Sequence, residues 1–192
     1  MKFAALSSLV AAMCALLVAG TPVPAALNKR WGFDARTGNS GNVNGGNITA
    51  LAEGISEIFN NGSLRAGDGG HTFTGDAIGG NGNSSQGGGS ATSGDSGDAN
   101  GGNVNLTAEG ESVIANEGDI RAGDGGTTET GDAIGGNGAT GGSATSGSSG
   151  DANGGSVNLT AEGESEILNG GDITAGNGGT SSSGDAIGGN SS

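Results

Sequence analysis

Aromatic side chains are almost missing from this chain, which has no tyrosine, one tryptophan and four phenylalanines. Beyond residue 30 they reduce to Trp31, Phe33, Phe59 and Phe73, too few and too N-terminal to floor a sugar-binding cleft along the chain. Histidine occurs once, as His71, and cysteine once, as Cys14. A disulfide framework is therefore excluded, although small secreted domains with thin cores usually need one. Only six residues are basic, and two are proline. Large aliphatic residues are sparse after Trp31, so any core must be narrow.

What is present begins with an address. Lys2 precedes an apolar run from Ala4 to Ala19, and small residues follow, with Val18-Ala19-Gly20 and Val23-Pro24-Ala25 as two candidate cleavage sites. This is the anatomy of a signal peptide. The run is shorter than the roughly 20 residues a membrane-spanning helix needs. Lys29-Arg30 is the only adjacent basic pair, and it sits where the composition changes. It resembles the processing site of kexin-type proteases in fungal secretory pathways. The resemblance implies a fungal secreted glycine-rich protein with a signal peptide at 1–20, a propeptide at 21–30 and a mature start at Trp31. Residues 31–44 read as a lead-in.

Removing residues 1–30 leaves three arginines, Arg36, Arg65 and Arg121, against all 20 acidic residues, a net charge of −17. Such a chain repels nucleic acid and anionic membranes and stays soluble. Low hydrophobicity with high net charge is also a signature of disorder, so a largely disordered chain is the alternative to a fold.

Three copies of one repeat occupy about 45–96, 97–149 and 150–192. Gly97-Asp98-Ala99-Asn100-Gly101-Gly102 returns at Gly150 to Gly155, and Asn105 to Ser112 returns at Asn158 to Ser165. The copies decide the local structure. Ile48, Val104 and Val157 are equivalent; so are Ala50, Leu106 and Leu159, then Ala52, Ala108 and Ala161. Apolar residues two apart follow the strand period. Leu51, Ile55, Ile58 and Phe59 could pass for a helical stripe, but their second-copy equivalents Thr107, Glu111, Ile114 and Ala115 break it. Short strands also read at Ser112 to Ala115, Asp119 to Ala122 and Ala133-Ile134. They are separated by Gly-Asp, Gly-Gly and Asn-Gly turn signals. The expected fold is all-β, a short-strand β-solenoid in which each repeat makes two or three coils. Residues 102–108 and 118–123 resemble the coils of filamentous-haemagglutinin-type β-helices, which implies that fold and an adhesive role. The stretches Gly87 to Ser96 and Gly138 to Ser149 read as glycine-rich loops, polyproline-II-like strands or flexible spacers.

Chemistry-bearing candidates are few. Six N-glycosylation sequons begin at Asn47, Asn61, Asn83, Asn105, Asn158 and Asn190. Asn105 and Asn158 are expected to face solvent. Asp68, Asp76, Asp124, Asp132 and Asp185 recur in Gly-Asp steps and offer oxygen ligands of the kind calcium takes. The β-roll pattern Gly-Gly-x-Gly-x-Asp is absent, however, and Asp-Gly is in itself a good turn. Glu109 and Glu111, repeated at Glu162 and Glu164, read as paired carboxylates on one strand face. A glycosidase could use such a pair, and a solvated acidic stripe explains it as well. Thr127 replaces His71 in the second copy. A phosphate loop would need a Gly-Lys-Ser/Thr ending, and an ice-binding face a regular Thr-x-Thr ladder; neither occurs. The expectation is a non-enzymatic, cofactor-free, secreted structural or surface-interaction protein of the cell wall or matrix. Its expected partner is a wall polysaccharide or an extracellular protein. The alternatives are an effector acting on a host or competitor, and a polysaccharide-active β-helix enzyme.

Overall fold

A computed structural model describes residues 32–192; the expected signal peptide, the Lys29-Arg30 pair and Trp31 lie outside the described residues. The described residues form 18 short strands and no helix. The first tier contains β1 (Ala35–Arg36), β2 (Ile48–Ala52), β3 (Glu57–Asn60), β4 (Leu64–Arg65), β5 (His71–Phe73) and β6 (Ala77–Ile78). The second tier contains β7 (Ala91–Thr92), which closes the first repeat in sequence, then β8 (Val104–Gly110), β9 (Val113–Asn116), β10 (Ile120–Arg121), β11 (Thr127–Glu129) and β12 (Ala133–Ile134). The third tier contains β13 (Ala144–Thr145), which closes the second repeat in sequence, then β14 (Val157–Gly163), β15 (Glu166–Asn169), β16 (Ile173–Thr174), β17 (Thr180–Ser182) and β18 (Ala186–Ile187).

Every strand pairs in parallel with its equivalent in the neighbouring tier, which gives six three-stranded sheets. Ile48 lies beside Val104, and Val104 beside Val157. The architecture is all-β and solenoid-like, with three tiers and one repeat per tier. This corrects the expectation of two or three coils per repeat, because among the described residues no strand pairs with another strand of its own repeat. The lead-in is part of the stack as well, since β1 pairs with β7.

The strand alternation explains what is buried. In β8, Val104, Leu106 and Ala108 point inward and are fully buried, while Asn105 and Thr107 point outward. Ile114 and Ile120 close the same apolar cluster. A corner follows each long strand. Gly54, Gly110 and Gly163 take φ of 68°, 85° and 77° there, a region that costs a side-chain-bearing residue strain. Ser112 secures its corner by donating its hydroxyl to the carbonyls of Ala52 and Glu109.

A second cluster, of Ala77, Ala91 and Ala133, is small and is flanked by buried hydroxyls. Thr128 donates to the Gly150 carbonyl at 2.8 Å, and Thr72 to that of Gly97 at 2.7 Å. Ser96 accepts from the Gly150 N–H at 3.0 Å. The segments read as glycine-rich loops or spacers thus hold β7 and β13, and Ser93 and Ser96 form an inner wall. A hydroxyl that both donates and accepts is buried at little cost, which lets this part of the interior form without large apolar residues.

Between the two clusters opposite walls of a tier meet backbone to backbone. Gly67 N–H donates to Gly46 O, Gly102 to Gly67, Gly123 to Gly102, Gly155 to Gly123 and Gly176 to Gly155, all at 2.8–2.9 Å. This zigzag climbs the stack and pinches each tier into lobes. A second zigzag runs through Phe33 O, Gly80, Gly89, Gly136, Gly142 and Gly189. Only glycine allows walls this close: a Cβ at Gly101 would overlap the Gly123 carbonyl on the opposite wall. The pinching explains why one tier reads as several coils in sequence.

Candidate functional site

The residues singled out for chemistry are mostly placed in columns, one above another on the outside of the stack. Asp68 Oδ1 accepts the backbone N–H of Asp124 at 2.9 Å, and Asp124 Oδ1 accepts that of Asn177 at 2.8 Å. Asp76, Asp132 and Asp185 repeat the pattern at 2.9 and 2.8 Å. Asn44, Asn100 and Asn153 do so at 2.8 Å for each step. In each column a side-chain oxygen takes the N–H of the equivalent residue one tier on. Asn and Asp suit this role because their short side chains readily bond nearby backbone.

The candidate calcium ligands therefore fall in two separate columns, each carboxylate with an oxygen committed to backbone except Asp185, which ends its column. Asp68 and Asp124 use their second oxygens on Arg65 and Arg121, at 2.8 and 2.6 Å. Both carboxyls are held below the ordinary aspartate range. The largest cause is the backbone N–H of the next tier, and the arginine beside each comes second. Among the described residues no group of three or more His, Cys, Asp or Glu is arranged to hold a metal.

The carboxylate pairs do not share a strand face. β8 ends at Gly110, whose φ of 85° turns the chain before Glu111. Glu162 and Glu164 are divided by Gly163 in the same way. His71 is exposed on β5, in register with Thr127 and, one tier on, Thr180.

The sequons differ in setting. Asn105 is half-buried and accepts from the Asn158 amide at 2.8 Å, so the two form a side-chain ladder on the outer face. Asn47 is exposed and accepts the Asn103 N–H at 2.7 Å; Asn61 and Asn190 are exposed. Asn83 is different. The link between β6 and β7 is three residues longer than that between β12 and β13. Asn81 aligns with Asn137, and Gln86 O accepts the Ala139 N–H. Asn83, Ser84 and Ser85 are thus the insertion, an exposed turn in which Asn83 Oδ1 accepts the Ser85 hydroxyl at 2.9 Å.

The outer face of the β2-β8-β14 sheet carries the columns Thr49-Asn105-Asn158 and Leu51-Thr107-Thr160. On the neighbouring sheet Ala115 lies between Phe59 and Leu168, which leaves an open notch of about 440 Å³. The sequence reading did not find the Asn/Asp columns or the glycine zigzags. The signal was there, as Asn or Asp returning at the same repeat positions beside glycine. Compared with protein-family models, curated proteins and solved structures, the chain finds no match.

Proposed function

We propose that this chain is a secreted structural protein, a β-solenoid whose tiers close on themselves, which works through its repetitive outer surface in a cell wall or extracellular matrix. The observation that supports this reading is the in-register outer face of β2-β8-β14. It places like side chains one strand spacing apart, about 4.8 Å, along the stack. A rigid ladder of amide and hydroxyl groups suits a partner that is itself repetitive and polar, such as a wall polysaccharide. The surrounding negative charge keeps the protein soluble before it docks. No catalysis is assigned to it.

Sedimentation with purified walls of the secreting cells tests this reading. The protein is expected in the wall pellet, and Thr107→Glu, which adds one outward-facing charge to the ladder, should move it toward the supernatant while circular dichroism shows it folded. Protein that stays wholly in solution with walls and matrix would overturn the reading.

A further inference from the structure

The interior of the stack is not finished at its ends. Leu106 in the second tier is 0% exposed, whereas its third-tier equivalent Leu159 is 38% exposed. Ile120 is 0% exposed and its equivalent Ile173 51%. These residues point inward, as their partners do, but among the described residues no fourth tier covers them.

The polar groups repeat this pattern. Asp98, Asn100, Asp132 and Asn137 each accept an N–H from the third tier, from Asp151, Asn153, Asp185 and Asn190. The side-chain oxygens of those third-tier residues have no N–H to take among the described residues. Val104 and Ile120 donate their N–H groups to the carbonyls of Ser156 and Asp172. The equivalent N–H groups of Val157 and Ile173 have no acceptor among the described residues.

The first tier carries the complement at the opposite end. Its N–H groups at Asn42, Asn44, Asp76 and Asn81 are the equivalents of those that Asn and Asp cap higher in the stack. Among the described residues they are unpaired. The carbonyls of Asn47 and Ser63, which correspond to those of Ser156 and Asp172 two tiers on, are unpaired too.

We propose that the third tier of one copy stacks on the first tier of the next, continuing the six parallel sheets head to tail into a filament. The occupant is a second copy of this chain because the required pattern is the one the chain already satisfies within itself. Val157 would lie over Ile48, Leu159 over Ala50 and Ile173 over Leu64, as their equivalents do inside. Val157 and Ile173 would donate to Asn47 and Ser63, and Asn153 would cap Asn44. An interface between two different surfaces that does not close on itself grows without limit. Unpaired parallel edges are the usual template for such growth. Three tiers advance the filament by about 14 Å per copy. The net charge of the chain opposes contact, so salt favours assembly by screening it. The inference rests on the tier geometry and holds whether or not the outer face binds a wall.

The test uses the protein as cells secrete it, at rising concentration and at low and high salt. Electron microscopy and sedimentation velocity should show filaments one stack wide, longer at high salt. Ile173→Arg should abolish them, while Leu168→Arg, on the outer face, should not. Should Ile173→Arg fail to fold, a pair of outward substitutions decides the matter. Thr49→Cys with Asn158→Cys lie two strand spacings apart within one copy, about 10 Å, beyond disulfide reach. Across the proposed junction they are neighbours at about 5 Å, so oxidation should give a ladder of covalent multimers. A monodisperse monomer at high concentration and salt, with no cross-linked multimer, would overturn the proposal. Filaments that survive Ile173→Arg but are lost with Leu168→Arg would overturn it equally.

Discussion

The Oδ1 atom of Asp124 accepts the backbone N–H of Asn177, 53 residues further on, at 2.8 Å. In a neighbouring column Asn42 Oδ1 accepts the Asp98 N–H and Asp98 Oδ1 that of Asp151, so carboxamide and carboxylate both serve as acceptors. What the carboxylates add is the ion pair, Asp68 with Arg65 and Asp124 with Arg121.

That difference fixes a pH dependence. Both carboxyls are lowered in the fold, first by the backbone N–H above and then by the arginine. A lowered carboxyl stabilises the fold above its unfolded value, near pH 4, and the contribution disappears as pH falls through the lower folded value. Thermal melts should show stability falling below about pH 4. Asp68→Asn with Asp124→Asn should keep the ladder, cost little at neutral pH and flatten the acid loss. An unchanged acid limb would show that other carboxylates set it.

The glycine zigzag makes a paired prediction. Gly101→Ala drives a Cβ into the Gly123 carbonyl of the opposite wall, with both walls fixed by their own hydrogen bonds. The expected loss is about 3 kcal/mol. Gly46→Ala meets nothing within 4 Å and should be neutral, or stabilising by about 0.5 kcal/mol through the unfolded chain. Equal effects in urea unfolding would deny the close approach of the walls.

The apolar lobe predicts a gradient along the stack. Leu106→Ala leaves a cavity at a fully buried site and should cost about 3 kcal/mol. Leu159→Ala, in the same column one tier on, should cost about half as much in a monomer, because that side chain is 38% exposed. Denaturant midpoints at low concentration check both values.

Among the sequons the insertion at Asn83 is expected to carry a glycan. Its side chain bonds only within its own turn, although its carbonyl accepts the Ala139 N–H, whereas the side chains of Asn105 and Asn158 hold each other. Peptide mapping after endoglycosidase treatment should find the modification at Asn83 and lose it in Asn83→Gln. A glycan at Asn105 with Asn83 bare would contradict the ladder geometry.

Much of the architecture was legible in the sequence because copies could be compared. The period of two at Val104, Leu106 and Ala108 marks a strand, and Thr107 opposite Leu51 shows which face is outward. The number of tiers was not legible. Strand pairing depends on which segments meet, and Gly46 meeting Gly67 leaves no apolar trace. The hydroxyl lobe was hidden for a related reason. Ser93, Ser96 and Thr128 are buried through hydrogen bonds rather than hydrophobicity, so a stretch rich in Gly, Ser and Thr reads as a spacer. The aspartates read equally well as turns or as ligands. Their work as caps on the next tier shows only when residues 53 or 56 apart are brought together.

The central claim is that one repeat makes one tier, so that residues 53 apart are direct neighbours. Spin labels at Thr107→Cys and Thr160→Cys, both outward on paired strands, test it in a Cys14→Ser background. Magnetic resonance of the dilute protein should show the strong spin–spin broadening of backbones about 5 Å apart. Two or three tiers per repeat would separate them by about 10–15 Å, and a spectrum with that weak coupling would contradict the account.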